Sequence, residues 1–342
     1  MNNRTGGPRS FNTVKRSNRD DRLRRRRQGR MTLLAMCAVL LLLAITGLIF
    51  LVCHIAVSIQ NRPPKDGSDD TNNPASGIQY QLESRQYSEI YVGDLVVVNL
   101  SHEYHFPSIM LEKVTDHRET VDSKVSYIVR NISNPPTMQR VAAISLAQML
   151  AQYYRLSGEQ LTVYDAYRTL EQQQNKKTPA GKSEHHTGLL VAISDTENVS
   201  KLDLAKHSWL LENCAKYGFI QRYPQSKSGI TGVNYDYTEA FRYVGIPHAT
   251  YISQNNLCLE EYVELLKNNH TSKLGDDGKH LSIDTNGDGK ADYEVYYVVA
   301  TTGDGQLTPV PTPKNYEYSV SGDNIGGFIV TVDLNAPRKM PE

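Results

Sequence analysis

Two stretches of this 342-residue chain decide its fold: Ser183-Glu184-His185-His186-Thr187-Gly188-Leu189, and Ile230-Thr231-Gly232 followed a few residues later by Phe241-Arg242-Tyr243-Val244-Gly245. The first stretch contains His185, whose side chain is of a type that ligates zinc in proteins. Seven residues further on stands Ala192, whose methyl group cannot bind a metal. The interval in the second stretch, Tyr235–Ala240, contains no histidine. One histidine alone binds zinc too weakly to hold a site.

Both stretches resemble the VanY-type D-alanyl-D-alanine carboxypeptidases, zinc enzymes that trim bacterial wall peptides. In that family the first stretch reads roughly SEHxTGxAxDI, and its histidine and aspartate both ligate zinc. The second reads roughly ITGxxYEPWHxRYVG, with the glutamate as general base and the histidine as third ligand. Here Ala192 stands at the aspartate position, and the Tyr235–Ala240 segment is one residue longer and lacks the Glu-Pro-Trp-His block. The resemblance implies the family fold and zinc as its cofactor, whereas the substitutions predict that zinc and catalysis have been lost.

The resemblance covers about residues 90–265, and we place the carboxypeptidase-like domain at 86–265. It implies an α+β fold, in which a small antiparallel sheet with flanking helices forms the floor of the cleft. Apolar residues at helical spacing predict a helix within 136–158, and Leu161–Tyr164 is typical of a buried strand. The β-branched run Tyr91–Asn99 also predicts a strand.

The N-terminal part of the chain predicts a membrane anchor. Residues 1–30 carry eleven Arg or Lys and two Asp, a net charge of +9, although the whole chain is neutral. The apolar segment 31–57 follows, and about 20 apolar residues suffice to span a bilayer. The basic flank predicts a cytoplasmic N-terminus and an extracytoplasmic domain, with 58–85 as a flexible linker. A cleaved signal peptide is the alternative, but its apolar region is about 7–15 residues long. The basic run lies beside a membrane segment, so we expect no nucleic-acid partner.

Residues 266–342 predict a small β-rich extension, which either forms its own module or lies against the main domain. Within it, one loop offers oxygen ligands in the order of an EF-hand-type calcium loop, at Asp284, Asn286, Asp288 and Asp292. The twelfth position, where such a loop has a bidentate glutamate, is Val295. The loop is therefore either a weak calcium site or a hairpin turn without an ion.

Three residues are candidates for binding a peptide, and each is chosen because it matches a peptide-binding or cleft position of the family. Arg168 ends the sequence Asp165-Ala166-Tyr167-Arg168, which stands where the family has Ser-Gly-Tyr-Arg. The matching arginine grips the substrate carboxylate, and a guanidinium suits bidentate binding of that group. Gln173 and Ser183 stand at positions that face the peptide or line the cleft. The alternative is that Arg168 pairs with an internal acid and supports the fold.

Other side chains could rebuild a metal site, and the candidates are His185, His186, Asp195, Asp236, Glu239 and His248. We expect His185 and His186 to point to opposite faces if they lie on a strand, so that they would not easily share an ion. Cys214 and Cys258 could form a disulfide in an oxidising location, although each lies in an apolar context typical of a helix.

Three functions remain open. The first is a membrane-anchored, inactive carboxypeptidase homologue that binds peptidoglycan stem peptides or an envelope partner through the old cleft. The second is an active zinc D,D-carboxypeptidase with substituted ligands. The third is an envelope interaction module that uses the β extension. Metal analysis separates the second from the others, and a stem-peptide binding assay separates the first from the third.

Overall fold

The computed structural model describes residues 78–196, 201–233, 239–272, 279–303 and 305–338. The predicted basic tail, the predicted membrane segment and most of the predicted linker lie outside the described residues. In the part of the chain that is described, no helix is both long enough and apolar enough to cross a membrane.

The described residues form helices and strands, most of which are short. The α-helices, α1 to α6, span Arg140–Ser157, Leu170–Gln173, Ser208–Asn213, Ser228–Thr231, Ile246–Gln254 and Leu259–Asn269. The 3-10 helices span Tyr87–Tyr91, Val114–His117, Glu184–Thr187, Cys214–Tyr217 and Gln225–Lys227. The strands, β1 to β15, span Tyr80–Gln86, Leu111–Lys113, Thr120–Val121, Lys124–Val125, Ile128–Val129, Thr137–Gln139, Leu161–Asp165, Leu190–Asp195, Phe219–Gln221, Ala240–Tyr243, Leu281–Ile283, Tyr293–Val299, Leu307–Pro313, Tyr316–Gly322 and Gly327–Pro337.

The candidate site lies on a five-stranded sheet with the order β5-β7-β8-β10-β9. Its strands are antiparallel except for the β5–β7 pair, which is parallel. Helix α1 packs into the core on this sheet and buries Leu146, Met149 and Leu150. Gly158 ends the helix with a φ of 71°, a left-handed conformation that glycine adopts without steric cost. The predicted helix, its stop and the predicted strand over Leu161–Tyr164 are confirmed.

The C-terminal extension lies against the main domain. Its sheet has the order β11-β12-β15-β14, and every neighbouring pair is antiparallel. Val295 and Ile329 from this sheet share one buried cluster with Val244, next to β10, and Tyr262 of α6. Of the two arrangements left open by the sequence, the structure therefore has the extension packed on the carboxypeptidase-like domain.

Strand β1 corrects the predicted linker, which does not extend to residue 85. Residues 80–86 pair with β13 over seven positions, from Tyr80 opposite Pro313 to Gln86 opposite Leu307. Tyr80 packs its ring edge-on against Tyr296, so the pairing is supported by side-chain burial. Only Tyr80 and Leu82 are apolar among these seven residues, so the local sequence pattern gives little signal for the strand.

The strand predicted over Tyr91–Asn99 is wrong. Residues 87–91 form a 3-10 helix, and the following segment belongs to no sheet. Leu95–Val98 are nevertheless buried. The backbone there makes isolated hydrogen bonds, from Leu95 N–H to Ser321 Oγ (2.9 Å) and from Val97 N–H to Asp323 O (3.0 Å). The β-branched residues thus reflect burial and not strand pairing.

Candidate functional site

The stretch Ser183–Leu189 forms one turn of 3-10 helix and then leads into β8. Ser183 caps this helix, because its Oγ accepts a hydrogen bond from His185 N–H at 3.4 Å. Gly188 ends the turn with a φ of 69°, and a Cβ at this position would come within 2.7 Å of Leu111. His185 and His186 therefore lie on a helical turn and not on a strand, so the condition for opposite faces is not met.

The imidazole of His185 is buried and retains one free nitrogen. Its Nδ1–H donates to the carbonyl of Ala166, and Nε2 has no hydrogen-bond partner among the described residues. Burial, with the charge of Arg168 as the second cause, lowers the pKa of His185 to about 4. The ring is therefore neutral at pH 7 and offers a single nitrogen lone pair.

Two alanines face each other where the family pattern places an aspartate and a histidine. Ala192 on β8 is paired directly with Ala240 on β10, and both residues are buried. Ala240 stands two residues before Arg242, as the family's third zinc ligand stands before its arginine. Since residues directly opposite in an antiparallel pair have Cβ atoms about 5 Å apart, the two methyl groups lie side by side on one face of the sheet.

These residues do not fit a zinc ion. Catalytic zinc needs three protein ligands, whereas His185 is accompanied here by two methyl groups that have no lone pairs. Among the described residues, no group of three or more His, Cys, Asp or Glu side chains could hold a metal ion. Asp236 lies outside the described residues.

Arg168 is held by partners within its own domain. Its Nε donates to Asp165 Oδ2 at 2.9 Å, and its Nη2 donates to the same oxygen. Its Nη1 donates to Gln173 Oε1 at 2.9 Å. The Arg168 side chain is 11% exposed and that of Asp165 is 28% exposed, so the pair borders solvent. Arg168 therefore pairs with an internal acid, as the alternative interpretation expects, and that acid is Asp165. Two of the five N–H donors of the guanidinium are not used by these contacts.

Gln173 and Ser183 lie in the same cluster as Arg168 but are largely occupied. Gln173 is buried, and its Nε2 donates to Thr178 O at 2.8 Å while its Oε1 receives Arg168. Backbone hydrogen bonds tie Arg168 to the histidine turn, from Arg168 N–H to His185 O at 3.1 Å. The three candidate peptide-binding residues and His185 are thus brought together, and Arg168 reaches the surface among them.

The alternative metal ligands are dispersed. The Nδ1–H of His186 donates to Arg168 O (2.7 Å), and its Nε2 accepts from Gly181 N–H (3.0 Å). His248 hydrogen-bonds Tyr262 and Thr331 in the core shared with the extension, and burial lowers its pKa to about 3.

The two described acidic candidates are also engaged elsewhere. Asp195 contacts His207, whose other ring nitrogen hydrogen-bonds Tyr153 OH at 2.6 Å. Glu239 Oε1 accepts from Tyr164 OH at 3.2 Å. The described residues do not assemble a substitute metal site.

The predicted calcium loop joins β11 to β12, and its side chains bind its own loop and a neighbouring strand. Asp284 accepts backbone N–H groups of Gly289, Gly287 and Asn286, and these hydrogen bonds lower its pKa. Asp292 accepts from the N–H and hydroxyl of Thr285, as well as from Asn286 and Asn335. Asp288 Oδ1 accepts from Lys290 N–H at 2.9 Å. These contacts form a hairpin turn, and calcium binding stays a prediction.

A buried ion-pair network beneath the histidine turn was not identified from sequence. Arg222 donates to Glu184 Oε1 at 2.9 Å and to both oxygens of Glu260 at 2.8 Å, and Arg242 Nε lies 3.4 Å from Glu184 Oε2. The two arginines and Glu184 are fully buried. Burial alone would raise the pKa of Glu260, but Arg222 lowers it to about 2. The signal was present, because all three fully buried residues lie in or beside family motifs.

Cys214 and Cys258 are both buried free thiols, so the described residues contain no disulfide between them. Burial raises the pKa of each thiol to about 12. Each thiol is therefore protonated at neutral pH.

A comparison with protein-family models identifies the same region of the chain as the candidate site. The family model VanY, described as D-alanyl-D-alanine carboxypeptidase, matches residues 136–246. Residues 136–246 form a VanY-family domain. This range contains the histidine turn, Arg168, Ala192 and Ala240, so the altered positions lie inside the matched family domain.

Several proteins are similar to this chain beyond the matched domain. A D-alanyl-D-alanine carboxypeptidase of Enterococcus faecium is 29% identical over 270 residues, which cover 75% of this chain and 81% of the relative. The bifunctional D-Ala-D-Ala dipeptidase and carboxypeptidase VanXYC of Enterococcus gallinarum is 38% identical over 93 residues, covering 25% of this chain and 48% of that protein. Among solved structures, the vancomycin-resistance D,D-dipeptidase VanXYg, bound to a D-Ala-D-Ala phosphinate analogue, has a TM-score of 0.60 at 25% identity. That match covers 75% of this chain and 99% of VanXYg, which supports the α+β D,D-carboxypeptidase-like fold.

Proposed function

We propose that this VanY-family chain is a catalytically inactive homologue that binds peptidoglycan stem peptides through its cleft. The observation that carries this proposal is the direct pairing of Ala192 with Ala240, since both residues carry a methyl group where the family pattern has a zinc ligand. Among the described residues no second or third ligand joins His185, so these residues cannot generate a zinc-bound water. Arg168 still reaches solvent with free N–H donors, which supports retained binding of a peptide end.

The first prediction concerns metal and activity. Purified full-length protein should contain no stoichiometric zinc, and it should release no D-alanine from a pentapeptide ending in D-Ala-D-Ala. Elemental analysis and a D-alanine assay, each with and without added zinc, measure the two quantities. One equivalent of zinc together with chelator-sensitive D-alanine release would instead favour an active enzyme with substituted ligands.

Membrane anchoring forms part of the proposal. The net charge of +9 in residues 1–30 precedes the 27-residue apolar segment 31–57, which supports a single-pass anchor with an external domain. In the second prediction, protease added to intact protoplasts removes the folded domain and leaves a short protected N-terminal fragment. Complete protection of the domain would contradict this orientation.

A further inference from the structure

The surroundings of Arg168 differ from those of an open carboxylate receptor. Each of its three guanidinium nitrogens already donates to an acceptor, Nε and Nη2 to Asp165 and Nη1 to Gln173. Gln173 is fixed, because its amide nitrogen donates to Thr178 O and its side chain is buried. A ligand that approaches Arg168 therefore meets Asp165 beside it.

A negatively charged ligand end is disfavoured at this position. A carboxylate bound to the remaining N–H donors of Arg168 would lie within a few ångströms of the Asp165 carboxylate, and like charges at that distance repel. Binding through the edge formed by Nε and Nη2 would require displacement of Asp165. In either case the Asp165 carboxylate disfavours binding of a ligand carboxylate.

An uncharged amide end matches the same groups. Among the described residues, nothing donates a hydrogen bond to Asp165 Oδ1, and this side chain is 28% exposed. An acceptor oxygen thus lies next to the remaining donors of Arg168. A primary carboxamide has two N–H donors and a carbonyl acceptor, so its nitrogen can donate to Asp165 while its oxygen accepts from Arg168.

We propose that the cleft selects peptides with a carboxamide, rather than a free carboxylate, at the end bound by Arg168, and that Asp165 determines this selectivity. The inference rests on the proposed function, since it assumes that a peptide binds in the cleft. Asp165 is a specificity-determining residue here and takes part in no chemical step.

The test compares two peptides on the full-length protein by calorimetric titration. One is a wall-type pentapeptide that ends in D-Ala-D-Ala as the free acid, and the other is the same peptide with a C-terminal carboxamide. The unmodified protein should bind the amide at least about tenfold more tightly. Asp165→Ser, which introduces the residue of the family pattern, should strengthen binding of the acid by a similar factor and reverse the preference. Asp116→Ser removes an exposed carboxylate from the Val114–His117 helix and should leave both affinities unchanged.

Each outcome decides the inference. Unmodified protein that binds both peptides equally, or the acid more tightly, overturns it and leaves the proposed function intact. An unchanged preference in Asp165→Ser overturns it as well. If Asp165→Ser does not fold, Asp165→Asn keeps the side-chain size and its oxygen acceptor, and it should still improve binding of the acid. Absence of binding of either peptide to the unmodified protein and every variant would overturn the proposed function itself.

Discussion

The side chain of Arg168 has both a structural partner and an exposed edge. Asp165 and Gln173 fix its orientation, while 11% of its surface remains open to solvent. Such fixation lowers the entropy that the side chain loses on binding, since its rotamer is already chosen. Structural pairing and ligand binding are therefore compatible at this residue, although the sequence presents them as alternatives.

Replacement of Arg168 by lysine should affect binding and stability together. An ammonium cannot reproduce the guanidinium fork, so Arg168→Lys should weaken peptide binding roughly ten- to a hundredfold. The melting temperature should fall as well, because the contacts to Asp165 and Gln173 are lost. Calorimetry and thermal unfolding measure the two effects, with Arg140→Lys at an exposed ion pair as the matched control. Lower stability with unchanged affinity would assign Arg168 a purely structural role.

At the scale of elements, the register between β8 and β10 places the altered positions next to each other. Ala192 and Ala240 are 48 residues apart in the chain and become direct neighbours through this pairing. In an antiparallel pair, opposite side chains lie on the same face of the sheet. Restored ligands at these two positions would therefore share a face.

We predict that the double variant Ala192→Asp/Ala240→His binds zinc together with His185, whereas Ala192→Asp alone does not bind it tightly. Without metal, the single variant should melt at a lower temperature, because it buries a carboxylate without a partner. Added zinc should raise the melting temperature of the double variant only. Peptidase activity should stay absent, since the glutamate of the family pattern is not restored. Tight zinc binding by the single variant would reveal a further ligand and contradict this account.

The sequence predicted the elements whose signals are local. Helix α1 and strand β7 have clear periodicity and stops, and family motifs supplied the fold around them. The pairing of Ala192 with Ala240 and the order of the sheets depend on contacts between distant residues, which local patterns do not specify. A strand was wrongly predicted over the buried residues Leu95–Val98 for a related reason. Burial in the folded protein selects the same residue types there as strand formation does.

At the scale of the whole molecule, buried charges link the histidine turn to helix α6. Arg222, beside β9, bridges Glu184 and Glu260, and Asn99 Nδ2 donates to Glu260 at 3.1 Å. Removal of one partner from such a network leaves an uncompensated charge in the interior. The cleft and the C-terminal part of the domain should therefore unfold as one cooperative unit.

This network should make stability depend on pH in acid. The pKa of Glu260 falls from 4.5 to about 2 on folding, so its contribution is present above pH 4.5 and is lost as the pH falls toward 2. The difference amounts to about 3 kcal/mol. Urea unfolding measures the free energy of unfolding of the unmodified protein and of Glu260→Gln between pH 2 and 7. All other carboxylates titrate in both proteins, so the difference between the two pH profiles isolates the contribution of Glu260. Parallel pH profiles would contradict the role assigned to Glu260.

The prolines of β13 limit how a strand of another chain can pair with the extension. Pro309, Pro311 and Pro313 occur at alternate positions, and successive amides of a strand point to opposite sides. The hydrogen bonds to β1 therefore use the N–H groups of the residues between the prolines. On the other side of β13, the three prolines provide no N–H donor. A strand from a neighbouring molecule finds no regular row of hydrogen bonds there. The missing donors thus disfavour edge-to-edge aggregation of separate copies along β13.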